Sequence, residues 1–149
     1  MTIASAVCSS FKTEVLRAVH NFTQGGNQFK LALYVSSANL GAATTAYATN
    51  PGGGGNTEVA NGNGYTTKGI ALTNVTPALD GTTAVCDFSN VSFTSASFTA
   101  NGCLIYNETA TGDPAVCSIA FGGDKTVTNG TFTIEFPAAS ASAAILRIA

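Results

Sequence analysis

The sequence predicts an all-β fold: an antiparallel two-sheet β-sandwich, jelly-roll-like and of about eight strands, with a short N-terminal α-helix. Three observations carry that expectation. From Gly64 to Pro137, short runs rich in Thr, Val, Ile and Phe recur at near-regular spacing. Gly, Asn, Asp and Pro cluster between those runs, where turns need them. Ahead of them, Phe29–Ser36 alternates Phe29, Leu31, Leu33 and Val35 with Lys30, Ala32, Tyr34 and Ser36, the period-2 pattern of a half-buried strand.

The first 28 residues hold the helix. Phe11, Val15, Ala18/Val19 and Phe22 recur at i, i+4, i+7/8 and i+11, one apolar stripe over Ser10–Phe22. Ser9 or Ser10 is placed to cap its start and Gly25-Gly26 to stop it. Lys12, Glu14, Arg17 and His20 fall on its polar side, so the helix should lie across an end or edge of the sheet or dock on another subunit. After the Phe29–Ser36 strand the pattern dissolves through residues 38–64, which contain Gly52–Gly55 and two Asn-Gly pairs. Ordering glycine costs backbone entropy, so this stretch reads as a flexible loop or arm. It lacks the Lys-Ser/Thr and the strand-to-helix context of a phosphate loop. The runs Tyr65–Leu72, Thr82–Phe88, Val91–Thr99, Gly102–Glu108, Ala115–Phe121 and Thr131–Phe136 then read as strands, with turns at ALDG, SN, ANG, TGDP, GGDK and TNG. Within Val91–Thr99 the phase slips between Phe93 and Phe98, which predicts either a bulge near Ser95-Ala96 or a different partner for Phe98. Ala143–Ala149 reads as a last strand.

One domain of 149 residues can bury roughly 70% of its unfolded surface. Charged residues are 9% of this chain, against about 25% in ordinary soluble domains. Thr, Ser, Asn, Gly and Ala take their place. Such a surface is weakly protected against association, which points to a homo-oligomer, a trimer or dimer. The six cations (Lys12, Arg17, Lys30, Lys68, Lys125 and Arg147) are scattered and the net charge is −2. Nucleic-acid binding needs several cations on one face and is not expected. No apolar run approaches the ~20 residues of a membrane span, and the N-terminal stretch lacks the features of a secretory signal. Folding in a reducing cytoplasm is the expectation. Cys8, Cys86, Cys103 and Cys117 lack CxxC spacing; they read as small buried hydrophobes, with a disulfide between neighbouring strands as the alternative.

Reactive chemistry is thin. His20 is the lone histidine, and the eight acids are spread one per segment, with Asp80, Asp113 and Asp124 in turn sequences. Neither a hydrolase, a zincin nor a nucleotide-binding motif occurs. The sequence therefore predicts no catalytic, cofactor-binding or metal-binding residue.

Several stretches carry a resemblance: KLALYVSSA (Lys30–Ala38), the segment Glu58–Tyr65, GIALTNVT (Gly69–Thr76) and FGGDKTVTNGTFTI (Phe121–Ile134). Together they resemble a family of small β-sandwich structural proteins of tailed bacteriophages, over the chain from about Phe29 onward. The strand cysteines and the inserted PGGGG (Pro51–Gly55) depart from that pattern. The resemblance implies a non-enzymatic virion protein, assembled in the host bacterial cytoplasm. Capsid decoration is the favoured role: a cement protein bound to the major capsid protein or another virion protein. A tail, neck or fibre-associated component is the alternative. A carbohydrate-binding sandwich module is a third reading, weakened because the chain has no Trp and four Tyr. The expected assembly contacts are Phe11, Val15, Arg17, Val19 and Phe22 on the helix, and Tyr47, Pro51, Gly53 and Glu58 in the loop.

Overall fold

A computed structural model describes residues 2–149. Its elements in chain order are β1 (Ala6–Val7), α1 (Ser9–Leu16), β2 (Phe29–Tyr34), β3 (Ile70–Ala71), β4 (Asn74–Asp80), β5 (Thr83–Phe88), β6 (Val91–Asn107), β7 (Ala115–Ile134) and β8 (Leu146–Ile148). They form a five-stranded sheet, β1-β7-β6-β2-β3, and a three-stranded sheet, β4-β5-β8, antiparallel throughout. The two-sheet β-sandwich expected from the sequence is what forms. Its five-and-three division is less symmetrical than the paired Greek keys of a jelly roll.

The strands are drawn differently from the sequence runs. Val91–Thr99 and Gly102–Glu108 merge into β6, and Ala115–Phe121 and Thr131–Phe136 into β7. Ala100 pairs with Lys125 and Gly102 with Ala120, so the four residues Phe121–Asp124 lie opposite Asn101 alone. Gly122 and Gly123 take φ of 76° and 141° there, and the Asn101 amide donates to Asp124 Oδ1 at 2.8 Å. GGDK is thus a wide bulge, and TNG a second irregularity at Asn129 (φ 47°). Ser95, at φ 49°, marks the bulge anticipated between Phe93 and Phe98. These bulges bend the long hairpin, as extra residues on one strand must. β4 was hidden by Pro77; a proline is tolerated here because β4 is an edge strand.

The helix is shorter than expected. It ends at Leu16, because Ala18 adopts φ 59°, Ala18 N–H bonds Val15 O and Val19 N–H bonds Glu14 O. That is a Schellman closure with alanine in the left-handed position that usually holds glycine. Cys8 is the N-cap and no side chain caps the start, so neither Ser9 nor Ser10 does so. The reversal sends His20 and Phe22 inward. Phe22 stacks on Phe29 at 4.4 Å and 5°, and Phe29 meets Phe88 of the second sheet at 5.7 Å.

Parts of the 38–64 segment, the loop expected from the sequence, pack into the fold. Ala38, Leu40, Pro51, Thr57, Glu58 and Val59 are buried, while the runs Gly52–Asn56 and Ala60–Gly64 are continuously exposed. Thr57 O accepts Val35 N–H and Val59 N–H donates to Leu33 O, so this stretch extends the sheet beyond β3. All four cysteines are buried and free, so the disulfide alternative does not form. Burial pushes the thiols up: Cys8 to about 11, Cys86 and Cys117 to about 12, and Cys103 well above its usual range.

Two predictions follow from this packing. A Cβ on Gly69 (φ 84°) would collide with Leu31 O and sit 2.7 Å from Ala32 Cα. Gly69→Ala is expected to cost about 3 kcal/mol or more, read as a fall in the urea midpoint. The thiols ionise more readily in the unfolded chain, where they titrate near 9.0, than in the folded one. Their contribution is therefore complete below pH 9 and is lost as pH rises from 9 toward 12. A melting series across that range should fall, and native protein at pH 8 should leave Ellman's reagent uncoloured until denaturant is added.

Candidate assembly groove

The small sheet outruns its cover. Phe88 packs against Phe22, Phe29 and Phe136, which identifies the inner face of β5 as that of Phe88, Cys86 and Ala84. Ala84 pairs with Leu79 on one side and Ile148 on the other, forming a row across all three strands. Phe88 is buried, but along the strand the cover thins until Leu79 is 72% and Ile148 67% exposed. On the other side α1 presents Phe11, Lys12, Val15 and Leu16, and Val7 and Phe22 complete the wall. The gap between them is an apolar groove of about 830 Å³. Leu16, at its rim, is 87% exposed. The charged side chains lining it are Lys12 and Arg147, both cations. Arg147 donates to Ala141 O at 2.8 Å, and neither cation is in an ion pair among the described residues.

The structure divides the expected contact residues. Phe11, Val15 and Phe22 line the groove, although Phe11 and Phe22 are interior packing rather than free surface. Arg17 is exposed and Val19 half-buried, both away from its lining. Gly53 lies on the exposed loop tip, whereas Pro51 and Glu58 are buried and Tyr47 half-buried. Leu16, Leu79 and Ile148, the most exposed large apolar residues here, are not among the expected contacts. Leu16 falls off the helical stripe, and nothing in the period of the tail marks Ile148 as uncovered.

Glu58 is 4% exposed and organises an internal cluster. Its Oε1 accepts from Tyr65 Oη and Lys68 N, and its Oε2 from Tyr47 Oη, each at 2.7 Å. Tyr65 Oη in turn accepts Leu33 N–H at 3.0 Å, and Tyr106 donates to Lys68 O at 2.6 Å while stacking on Tyr47. Burial above all, with the Glu58 charge beside them, holds Tyr34, Tyr47 and Tyr65 far above the usual phenol range; burial and Glu108 do the same for Tyr106. These phenols stay protonated as donors. Lys68, over the Tyr47 ring at 5.8 Å, reaches Asp113 at 3.4 Å and closes the cluster at the surface.

His20 is a core residue, not the solvated helix residue expected. Its Nε2 faces Glu14 Oε2 at 2.8 Å and its Nδ1 faces Asn107 Nδ2 at 3.1 Å, so both nitrogens are committed. Asn107 is fully buried, and its Oδ1 accepts from Thr109 N and Ala110 N. With Phe11, Phe22 and Phe29 around the ring, this arrangement anchors the reversal after α1 to the end of β6. Among the described residues no three His, Cys, Asp or Glu are placed to hold a metal ion, and no helix is long and apolar enough to cross a membrane.

Comparison of the chain with protein-family models, curated proteins and solved structures finds no match.

Glu58→Ala should strand three donors in the interior and cost about 3–5 kcal/mol. Glu58→Gln, which keeps the shape and an acceptor oxygen, should lose less. Equal losses in urea melts of the two variants would show that the carboxylate hub contributes nothing beyond its volume.

Proposed function

We propose that this chain is a non-enzymatic structural protein of a phage virion, a capsid decoration (cement) protein that binds and stabilises the coat lattice. The carrying observation is the groove between α1 and the three-stranded sheet, apolar and uncovered, on a chain whose surface has little charge to oppose association. A folded monomer gains from covering Leu16, Leu79 and Ile148, and a lattice of neighbours offers that cover. The sequence resemblance to small phage structural proteins supports the same reading. The rest of the surface suits a passive role: paired hydroxyls such as Ser92–Thr133 and Thr99–Thr126 line the exposed side of the β6–β7 hairpin. The partners are then the major capsid protein, or another virion protein, and further copies of this chain.

Quantitative mass spectrometry of purified particles against the major coat protein tests it. A ratio of one per coat subunit, or a simple fraction of it, is expected. A few copies per hundred coat subunits would move the chain to the tail or neck. Absence from particles would remove the virion reading altogether.

A further inference from the structure

We infer that β4 of one copy adds to the free edge of β8 in the next, a head-to-tail contact in which Leu79 enters the groove. The inference rests on the self-association named in the proposed function and assigns the surfaces that make it.

The large apolar side chains exposed among the described residues are Val7, Leu16, Val75, Leu79 and Ile148. They fall in two places. Val7, Leu16 and Ile148 line the groove; Val75 and Leu79 lie on β4. Those places are opposite edges of one sheet, since β5 separates β4 from β8. Each edge is open. β4 and β8 pair with β5 alone, and outside that ladder no backbone group of residues 144–149 has a backbone partner among the described residues.

The two edges fit each other in length, parity and charge. Pro77 and the irregularity between Val75 and Ala78 divide the regular pairing of β4 into Asn74–Val75 and Ala78–Asp80, and the second stretch has three residues, the same length as β8. Leu79 shares the inner face with Ile148, because both pair with Ala84. A β4 strand added beside β8 with Leu79 on that face continues the row Leu79–Ala84–Ile148 into the neighbour's Leu79, over the mouth of the groove. Ala78 and Asp80 then face the other side, as Arg147 does through its pairing with Val85. The groove edge carries only cations, Lys12 and Arg147, while the β4 edge ends in Asp80. Asp80 uses Oδ2 for Ala141 N–H at 2.6 Å, and its other oxygen has no hydrogen-bond donor among the described residues. Unlike surfaces joined in this way make a heterologous interface, which closes into a ring when the rotation allows.

The test uses Leu79→Lys and Ile148→Lys, both at exposed positions, with circular dichroism to check that each folds. Sedimentation velocity over a concentration series should show wild-type oligomers, and each variant alone should be monomeric. Mixed in equal amounts, the two variants keep one intact edge of each kind. They should form a one-to-one dimer and nothing larger. Three results would overturn the inference: a monomeric wild type at the highest concentration, oligomers that survive either substitution, or a mixture that stays monomeric. Oligomers that survive both substitutions would sink this contact while leaving self-association standing. Particle copy number judges the virion reading separately.

Discussion

One buried carboxylate holds the irregular third of this fold in place. Taking Glu58 out of water is costly, and the cost is met only because three short, charge-assisted hydrogen bonds replace the water. Each donor belongs to a different part of the chain. Tyr47 comes from the segment after Leu40, Tyr65 from the approach to β3, and Lys68 N–H from the left-handed turn that presses Gly69 onto β2. Through Tyr65 the same carboxylate reaches the Leu33 amide, which would otherwise be an orphan in the core. The glycine-rich stretch is therefore ordered by a polar hub, with the apolar residues Ala38, Leu40 and Val59 filling in around it.

A second constraint is a mismatch of lengths. β6 and β7 run 17 and 20 residues, while the opposing sheet has strands of seven, six and three. The long hairpin solves its excess by bending at its bulges and packing Phe93, Phe98, Phe121 and Phe132 on one another. The small sheet has one irregularity, between Val75 and Ala78, and on its groove side its cover falls to α1. That helix has eight residues, because the chain must reverse at Ala18 to bring His20 to Glu14 and Asn107. A longer helix over Ser10–Phe22 would leave Phe22 unable to stack on Phe29. The same reversal that completes the aromatic core thus leaves Leu16 and Ile148 uncovered.

This explains what was legible in the sequence. Fold class, the alternation of β2 and the slip at Ser95 all come from side-chain period, which reports the face that a residue prefers. Gly and Asn punctuation is less specific, since a positive φ serves a turn or a bulge equally well. SN and TGDP lie between strands, whereas GGDK and TNG are irregularities within one, ANG is strand, and ALDG is the end of β4 with only its Gly81 in the turn. The distinction depends on whether the partner strand continues alongside, which is a tertiary fact. The Glu58 hub and the burial of His20 were illegible for a related reason: a lone polar residue looks solvated until its partners, distant in sequence, are brought to it. Three of the expected contact residues reached the groove because the stripe Phe11–Val15–Phe22 is apolar; which part of that stripe stays uncovered depends on the opposing sheet.

The net charge of −2 hides how the charges are distributed. Glu58 and Asp87 are buried, and Glu14, Glu108 and Asp113 are paired with His20, Lys30 and Lys68. The acids left to the solvent are Asp80, Asp124 and Glu135, against the cations Lys12, Arg17, Lys125 and Arg147. Three of those four cations lie on or beside α1 and the groove: Lys12 and Arg147 in its lining and Arg17 at the helix end. The charged side chains in the groove lining are thus both cations, in a chain that is acidic by count. Apolar burial supplies the gain at such a site, whereas the cations select among partners and oppose self-pairing of two identical grooves. A groove against a groove would bring like charges together. A groove against an edge that carries a leucine and an aspartate does not, and that asymmetry favours an unlike, head-to-tail contact over a twofold one.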